Sequence, residues 1–140
     1  MRLTSFTEYG LRALMRMAGA PERGYSSAEL AGDLQLSRHH LAKIVQALVK
    51  GGYVVTRRGG GGGAMLARPP DQIRLGEVVR LLERDQALVE CFGPDGGDCT
   101  LDGHCLLRHR LRAAEEAFLH ALNQSTLAQV ALPAPNCNFA

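Results

Sequence analysis

Apolar residues recur at helical spacing through the first fifty positions and predict three helices. The three apolar stripes consist of Leu3, Phe6, Leu11, Leu14, Met17 and Ala18, then Leu30, Ala31 and Leu34, then Leu41, Ile44, Val45 and Leu48. Because Thr and Ser commonly cap helix N-termini, we expect a first helix near residues 5–19 after Thr4. A second helix should begin after Ser26 or Ser27, and a third after Ser37.

The second and third helices are separated only by a short turn at Gln35 and Leu36, as in a helix-turn-helix. The third helix carries a polar face opposite its apolar stripe. The residues on this face that we expect to contact DNA are Ser37, Arg38, His39, His40 and Lys43. Arg and Lys reach phosphates or guanine edges, and a helix N-terminus suits a phosphate. These helices alone are also compatible with an ordinary three-helix bundle that has a polar outer face.

The segment after the third helix favours DNA binding. Residues 53–58 are β-prone, five consecutive glycines at 59–63 predict a turn, and residues 64–68 can return as a second strand. A hairpin in this position is typical of the wing of a winged helix, and Arg57 and Arg58 lie beside its tip, where they could enter a minor groove or bind phosphates. The glycine run lacks the Gly-Lys-Ser/Thr ending of a P-loop. The expected fold is mainly α with a small β-hairpin wing.

The second half of the chain predicts a short helix, a loop and a long helix. Residues 75–83 form a short amphipathic pattern that should pack on the first half. From about residue 105 a long helix carries a narrow apolar seam of Leu107, Leu111, Ala114, Phe118 and Ala121 or Leu122. Such a near-heptad seam favours a homodimer, although the helix could instead pack only on its own domain. A last turn is expected at residues 126–130.

The net charge of +2 over 140 residues conceals two halves of opposite sign. Residues 1–70 carry a net charge of +6, whereas residues 71–140 carry −4. A basic first half indicates a phosphate-binding surface, with a simple solvated face as the alternative. The sequence offers no secretory signal and no apolar run long enough to span a membrane, so we expect a cytoplasmic protein.

Three cysteines, Cys91, Cys99 and Cys105, lie within fifteen residues in a Gly/Asp-rich stretch. In a reducing cytoplasm such a cluster favours metal over disulfide. The spacing lacks the close Cys pairs of zinc ribbons and suits an iron–sulfur cluster with one further ligand from elsewhere. A structural zinc site completed by His104 or His109 remains an alternative. A thiol enzyme using Cys105 is disfavoured, because no oxyanion or substrate pocket is indicated.

Taken together, these patterns predict five segments in chain order. They are a winged helix-turn-helix at 1–70, a connecting helix at 71–90, a cluster-binding loop at 91–105, a dimerisation helix with a final turn at 106–130, and a tail at 131–140. Cys137 falls in the tail and is expected to be a bystander.

Four segments, residues 1–14, 37–45, 58–66 and 73–79, together with the three-cysteine pattern, resemble the NsrR type of a family of bacterial iron–sulfur winged-helix repressors that also includes IscR. The similarity extends to about residue 130. It implies a homodimer that binds a double-stranded DNA operator and represses transcription, with nitric oxide as the signal. Cluster-sensing repressors of the same family that respond to redox state or iron supply are the chief alternative.

The resemblance also assigns roles to individual residues. Cys91, Cys99 and Cys105 would bind a [4Fe–4S] cluster, with [2Fe–2S] as the alternative. NsrR-like proteins take a fourth ligand from the first helix of the partner subunit, and Glu8 stands at that position, where Asp is the commoner choice. IscR instead uses a His three residues after the last Cys, where this chain has Arg108, which favours the NsrR type.

Overall fold

The computed structural model describes residues 2–101 and 103–133. Five α-helices and one hairpin follow one another in the order α1 Ser5–Ala18, α2 Ser27–Leu34, α3 Arg38–Lys50, β1 Val54–Arg57, β2 Gly63–Leu66, α4 Leu75–Leu82 and α5 Leu106–Leu122. Short 3-10 helices occupy Pro70–Gln72, Glu90–Phe92 and Leu127–Val130. The predicted fold class is confirmed. Asp102 and most of the predicted tail, including Cys137, lie outside the described residues.

The first three helices begin at the side chains that the sequence predicts as caps. The hydroxyl of Thr4 accepts a hydrogen bond from the Thr7 amide, and Ser26 and Ser37 accept from the corresponding amides of α2 and α3. Each hydroxyl satisfies a backbone N–H that has no partner within its helix. Between α2 and α3 the chain turns through Gln35, which adopts a left-handed conformation with φ of 53°.

The hairpin pairs β1 with β2 in antiparallel register, from Val54 opposite Leu66 to Arg57 opposite Gly63. Its second strand is also held, near the glycine turn, by a contact that the sequence does not predict. Tyr25 and Ala64 exchange two backbone hydrogen bonds of 2.8 Å, so the loop before α2 adds one residue to the sheet. Gly63 allows this approach because a Cβ there would lie 2.3 Å from the Tyr25 carbonyl oxygen.

The hydrophobic core extends beyond the helix-turn-helix. It contains Leu14 and Met17 of α1, residues of α2, α3 and the hairpin, and also Ile73, Val78 and Leu82 around α4. Leu127, in the last 3-10 helix, is fully buried in the same core. The amide of Leu127 donates to the Ile73 carbonyl at 2.9 Å, which fixes this return. The chain after α5 therefore packs back on the first half.

Helix α5 is joined to the rest of the described chain chiefly through α4. A Cβ at Gly76 would lie 2.2 Å from the Leu119 carbonyl oxygen, so the two helices approach closely at this point. On the exposed side, Arg80 donates two hydrogen bonds of 2.9 and 2.7 Å to the Glu116 carboxylate. These hydrogen bonds hold the pKa of Glu116 below its ordinary value. No helix in residues 2–101 and 103–133 is long and apolar enough to cross a membrane.

Two of the helical glycines, Gly76 and Gly32, should respond in opposite directions to substitution by alanine. Gly76→Ala should lower the free energy of unfolding by about 1–3 kcal/mol, because its methyl group meets backbone rather than a flexible side chain. Gly32→Ala in α2 should raise it by about 0.5–1 kcal/mol, because nothing lies within 4 Å and alanine restricts the unfolded chain. Urea denaturation of both variants checks this. Equal effects would contradict the close α4–α5 approach.

Candidate metal centre and nucleic-acid interface

The polar face of α3 is exposed as a continuous surface at its N-terminal end. Ser37 caps the helix through its hydroxyl, which accepts from the His40 amide at 3.2 Å. The side chains predicted to contact DNA are all exposed, namely Ser37, Arg38, His39, His40 and Lys43. The opposite face, with Leu41, Ile44 and Leu48, is buried against the core. A rigid core therefore supports this exposed face, as a recognition helix requires.

The two wing arginines are exposed at the end of the hairpin. Arg57 is the last residue of β1, and Arg58 opens the glycine turn. Within that turn the Gly62 amide donates to the Gly59 carbonyl at 3.0 Å, which shows that the glycine run forms a compact turn. The tip is thin and carries no side chain from residue 59 to residue 63. Arg57 and Arg58 are the two cationic residues that lead into it along the chain.

The segment that contains both surfaces carries charge of a single sign. From residue 34 to residue 70 the sequence has six Lys or Arg and no Asp or Glu. Asp33 and Asp71 bound this interval on either side. A segment without carboxylates does not repel phosphate, so the recognition helix and the wing together form a surface suited to a nucleic-acid backbone.

The three clustered cysteines are free thiols in the segment between α4 and α5. Cys91 lies in the 3-10 helix Glu90–Phe92, and Cys105 is the N-cap residue of α5. The Cys105 sulfur accepts a hydrogen bond from the Arg108 amide at 3.4 Å. The Arg108 guanidinium donates to the Cys91 carbonyl at 3.3 Å, so one residue links the two ends of the thiol segment. Cys91 and Cys105 are half-buried, whereas Cys99 is exposed.

Within the described residues, no three His, Cys, Asp or Glu side chains are gathered closely enough to hold a metal ion. Both histidines considered for a zinc site, His104 and His109, are exposed. The donor chemistry nevertheless fits an iron–sulfur cluster, because three uncommitted thiols lie on one short segment. Three glycines with positive φ, Gly96, Gly97 and Gly103, give this segment the backbone freedom to fold around a compact group.

Glu8 lies in the first turn of α1 with an exposed side chain. Its carboxylate is 3.9 Å from Arg12, a weak pair on the helix surface. Such a carboxylate is accessible to a second molecule. Its assignment as a ligand stays a prediction, as do the roles of the three thiols and of the DNA-contacting residues.

The apolar seam predicted on α5 is largely uncovered. Leu107 is 63% exposed, and Leu106 next to it is 79% exposed. Further along, Leu111 and Phe118 are half-buried and Ala114 is exposed, whereas Leu119 is buried, on the side that faces α4. One side of α5 therefore packs on its own chain, and the seam leaves an apolar surface available to a second chain.

Sequence reasoning missed the residues that organise the thiol segment. Arg108 was noted only as a departure from IscR, yet it contacts both ends of the segment. Arg112, one turn further along α5, lies 3.8 Å above the Phe92 ring. Their spacing of three and seven residues from Cys105 places them on one side of the helix, which is the signal that could have identified them.

Known proteins resemble this chain over most of its length. The sequence model of the Rrf2 family, described as an iron-dependent transcriptional regulator, matches residues 3–132. The HTH-type transcriptional regulator NsrR of Geobacillus kaustophilus is 44% identical over 131 residues, which cover 93% of this chain and 89% of that protein. NsrR of Shouchella clausii is 38% identical over 133 residues, which cover 94% of this chain and 89% of that protein.

Solved structures agree with this assignment. T. potens IscR superposes with a TM-score of 0.71 at 26% identity, covering 91% of this chain and 84% of that one. CymR, the global cysteine regulator of B. subtilis, gives a TM-score of 0.71 at 27% identity, covering 94% of this chain and 96% of that one. The chain therefore belongs to the Rrf2 family, and it is a DNA-binding winged-helix transcriptional regulator rather than an enzyme.

Proposed function

We propose that this regulator is a cytoplasmic repressor whose operator binding is controlled by an iron–sulfur cluster that senses nitric oxide. The observation that supports it most is the set of three free thiols on the segment between α4 and α5, in a chain 44% identical to an NsrR. We assign one role to each segment, in chain order. Residues 1–70 read DNA, residues 71–90 connect, residues 91–105 hold the cluster, and residues 106–130 form the dimer.

The proposed ligands are Cys91, Cys99 and Cys105 from one subunit and Glu8 from its partner. Arg108 supports this arrangement, because its bonds to the Cys91 carbonyl and the Cys105 sulfur tie the backbone at the first cysteine to the helix turn that carries the last one. Cys99, on the exposed and glycine-rich middle of the segment, would move to join them. Three thiolates and one carboxylate fit a [4Fe–4S] cluster, in which each iron takes one protein ligand.

DNA contact is assigned to the exposed face of α3 and to the wing. In a dimer, two α3 helices would enter successive major grooves, with half-sites about 10 base pairs apart or at a multiple of that spacing. Arg57 and Arg58 would bind phosphates or the adjacent minor groove. The absence of acidic residues from 34 to 70 supports this use of the surface.

The homodimer is assigned to α5. A helix with two largely exposed leucines at its start and a half-buried apolar seam behind them would leave apolar surface in water in a monomer. Pairing with the same helix of a second copy removes that surface by two-fold symmetry.

The sensing step follows from the ligand set. When bound, an iron–sulfur cluster would supply iron that can react with nitric oxide. In the proposed ligand set, Glu8 would be the one oxygen ligand beside three thiolates, so its carboxylate would leave most readily. Because Glu8 lies in the first turn of α1, its release would free α1 and the reader domain to shift relative to the partner's thiol segment. Operator binding would then switch between two states, one with Glu8 bound to the cluster and one with Glu8 released.

The family description as iron-dependent favours one rival, a cluster regulator that responds to iron supply or redox state instead of nitric oxide. Such a protein would use the same thiols and the same DNA surface. The two functions differ only in the signal, so one experiment on the anaerobic protein separates them.

Cys99→Ser should abolish the visible absorption of anaerobically purified protein and its iron and sulfide content, because the cluster loses a thiolate. Operator affinity should fall with it, typically 5- to 150-fold for coupled sites. Cys137→Ser is the matched control, since it removes a thiol without touching the proposed ligand set, and it should retain both properties. Metal analysis, absorption spectra and gel-shift titrations measure these quantities.

Nitric oxide added to the wild-type protein should weaken operator binding to the level of Cys99→Ser. A colourless wild-type protein that contains zinc would overturn the cluster assignment in favour of a structural zinc site. A coloured protein that releases DNA on oxidation or iron depletion, but not with nitric oxide, would favour the rival signal.

Replacing single arginines should distinguish residues that contact DNA from exposed arginines elsewhere on the molecule. Arg38→Ala and Arg58→Ala should each weaken operator binding and reduce the slope of log affinity against log salt by about one unit if the contact is to phosphate. Arg110→Ala, which removes an exposed arginine on α5, is the control and should leave the slope unchanged. Fluorescence anisotropy over a salt series measures this slope. Unchanged slopes for both variants would remove these residues from the interface.

Charge placed on the α5 seam should prevent the dimer. Ala114→Glu buries a carboxylate between the two proposed helices and should yield monomers, because an unpaired buried charge is costly. Ala113→Glu introduces the same side chain one position away, outside the seam, and should remain dimeric. Sedimentation velocity distinguishes the two states, and a dimeric Ala114→Glu would assign the interface to another surface.

A further inference from the structure

A single carboxylate joins the end of α4 to the start of α1. Glu83 is the C-cap residue of α4, and its Oε1 accepts two hydrogen bonds of 2.8 Å, one from the Thr4 amide and one from the Thr4 hydroxyl. The two residues are 79 positions apart in the sequence. Both are half-buried, so the bonds are partly shielded from water and stronger than exposed ones.

Thr4 is the N-cap residue of α1, so Glu83 acts on the cap itself. The Thr4 hydroxyl accepts from the Thr7 amide at 3.3 Å and lies 3.1 Å from the hydroxyl of Thr7. Thr7 is fully buried. Because the Thr4 hydroxyl has one proton, its donation to Glu83 leaves its lone pairs free to accept from Thr7. The carboxylate therefore fixes the side chain that caps the first turn of α1.

The neighbouring contact between α4 and α1 is a close apolar approach. A Cβ at Gly10 would lie 2.6 Å from a methyl carbon of Leu82, the last residue of α4. Leu82 holds the middle of α1, and Glu83 holds its N-terminal end. Beside Thr4, a cavity of about 540 Å³ is lined by residues 2–4, the end of α4, the thiol segment at Phe92 and part of α5.

The Glu83–Thr4 bond lies between the thiol segment and the turn of α1 that carries Glu8. The chain runs from Glu83 directly into the segment that carries Cys91, Cys99 and Cys105, and Thr4 is one helical turn before Glu8. The bond thus connects the entrance of the thiol segment to the turn that presents the Glu8 carboxylate.

We infer that Glu83 is a positioning residue of the sensor, which holds the first turn of α1 so that Glu8 is presented correctly to the partner subunit. The same bond passes a change at the thiol segment to α1 and from there to the reader domain. This inference rests on the proposed function. It adds that the response requires a bond within each subunit as well as the ligand between subunits.

The test compares Glu83→Ala, which removes the acceptor, with Glu83→Gln, which keeps an amide oxygen able to accept from Thr4. Glu22→Ala is the control, because it removes an exposed carboxylate on the turn after α1. In cluster-free protein, amide hydrogen exchange in residues 4–8 should accelerate in Glu83→Ala and stay near wild type in the other two. This readout does not depend on the cluster.

In anaerobically reconstituted protein, Glu83→Ala should keep iron and sulfide, since the three thiols are untouched. Its visible spectrum should shift in the same direction as that of Glu8→Ala, and the ratio of operator Kd values without and with the cluster should fall roughly tenfold. Glu83→Gln should recover most of the wild-type spectrum and ratio. A merely structural role would lower the melting temperature and leave the spectrum unchanged.

The possible failures are distinguishable. If the wild type holds no iron and sulfide, the proposed function fails and this inference falls with it. If the wild type holds a cluster and responds to nitric oxide, but Glu83→Ala keeps the wild-type spectrum and Kd ratio, only the inference is overturned. Should Glu83→Ala not fold, Glu83→Asp replaces it, because the shorter side chain keeps the charge but does not reach Thr4. A visible spectrum shifted in the direction of Glu8→Ala would then support the inference, and a wild-type spectrum would overturn it.

Discussion

The packing of α4 between α1 and α5 is the contact on which the rest of the molecule depends. On one side, Leu82 presses against α1 where Gly10 leaves no side chain, and on the other, Gly76 lets α4 meet the backbone of α5 at Leu119. This eight-residue helix is short, and it has no side-chain cap at its N-terminus. Its stability must therefore come from its neighbours. The core of the first half thus extends to Val78 and Leu82 of α4, and the long helix is joined to it through the contact of α4 with Leu119.

This arrangement places the thiol segment where a local change has consequences elsewhere. The segment begins at the end of α4 and finishes at the N-cap of α5, so both of its ends are fixed to helices that contact each other. Its middle is rich in glycine and exposed. A flexible middle between fixed ends can adapt to a bound group, while the forces at its ends are transmitted to packed helices. Regulation by a ligand held on this segment is consistent with that division.

Much of the fold was predictable because it follows from local patterns. Periodic apolar residues and hydroxyl caps at Thr4, Ser26 and Ser37 predicted three helices, and the glycine run predicted the hairpin. The contacts that the sequence did not predict join residues that are far apart in the chain. The Tyr25–Ala64 bridge is an isolated residue pair, so no repeat in the sequence predicts it. The Glu83–Thr4 bond joins the ends of two helices, and neither helix carries a sequence pattern that indicates the other as its partner. For the candidate site, the sequence supplied the donor residues but not the contact made by Arg108, because only folding places its guanidinium at the Cys91 carbonyl.

The stretch from residue 34 to residue 70 has one further consequence, which follows from its lack of carboxylates. A face of uniform positive sign is attracted to any duplex whatever its bases, since counterion release is the same along the whole polymer. Such a molecule spends its search time sliding and hopping on chromosomal sequence that it does not regulate. In the proposed mode of binding, discrimination would have to come from the side chains on the exposed face of α3, and from the distance at which two copies would present them.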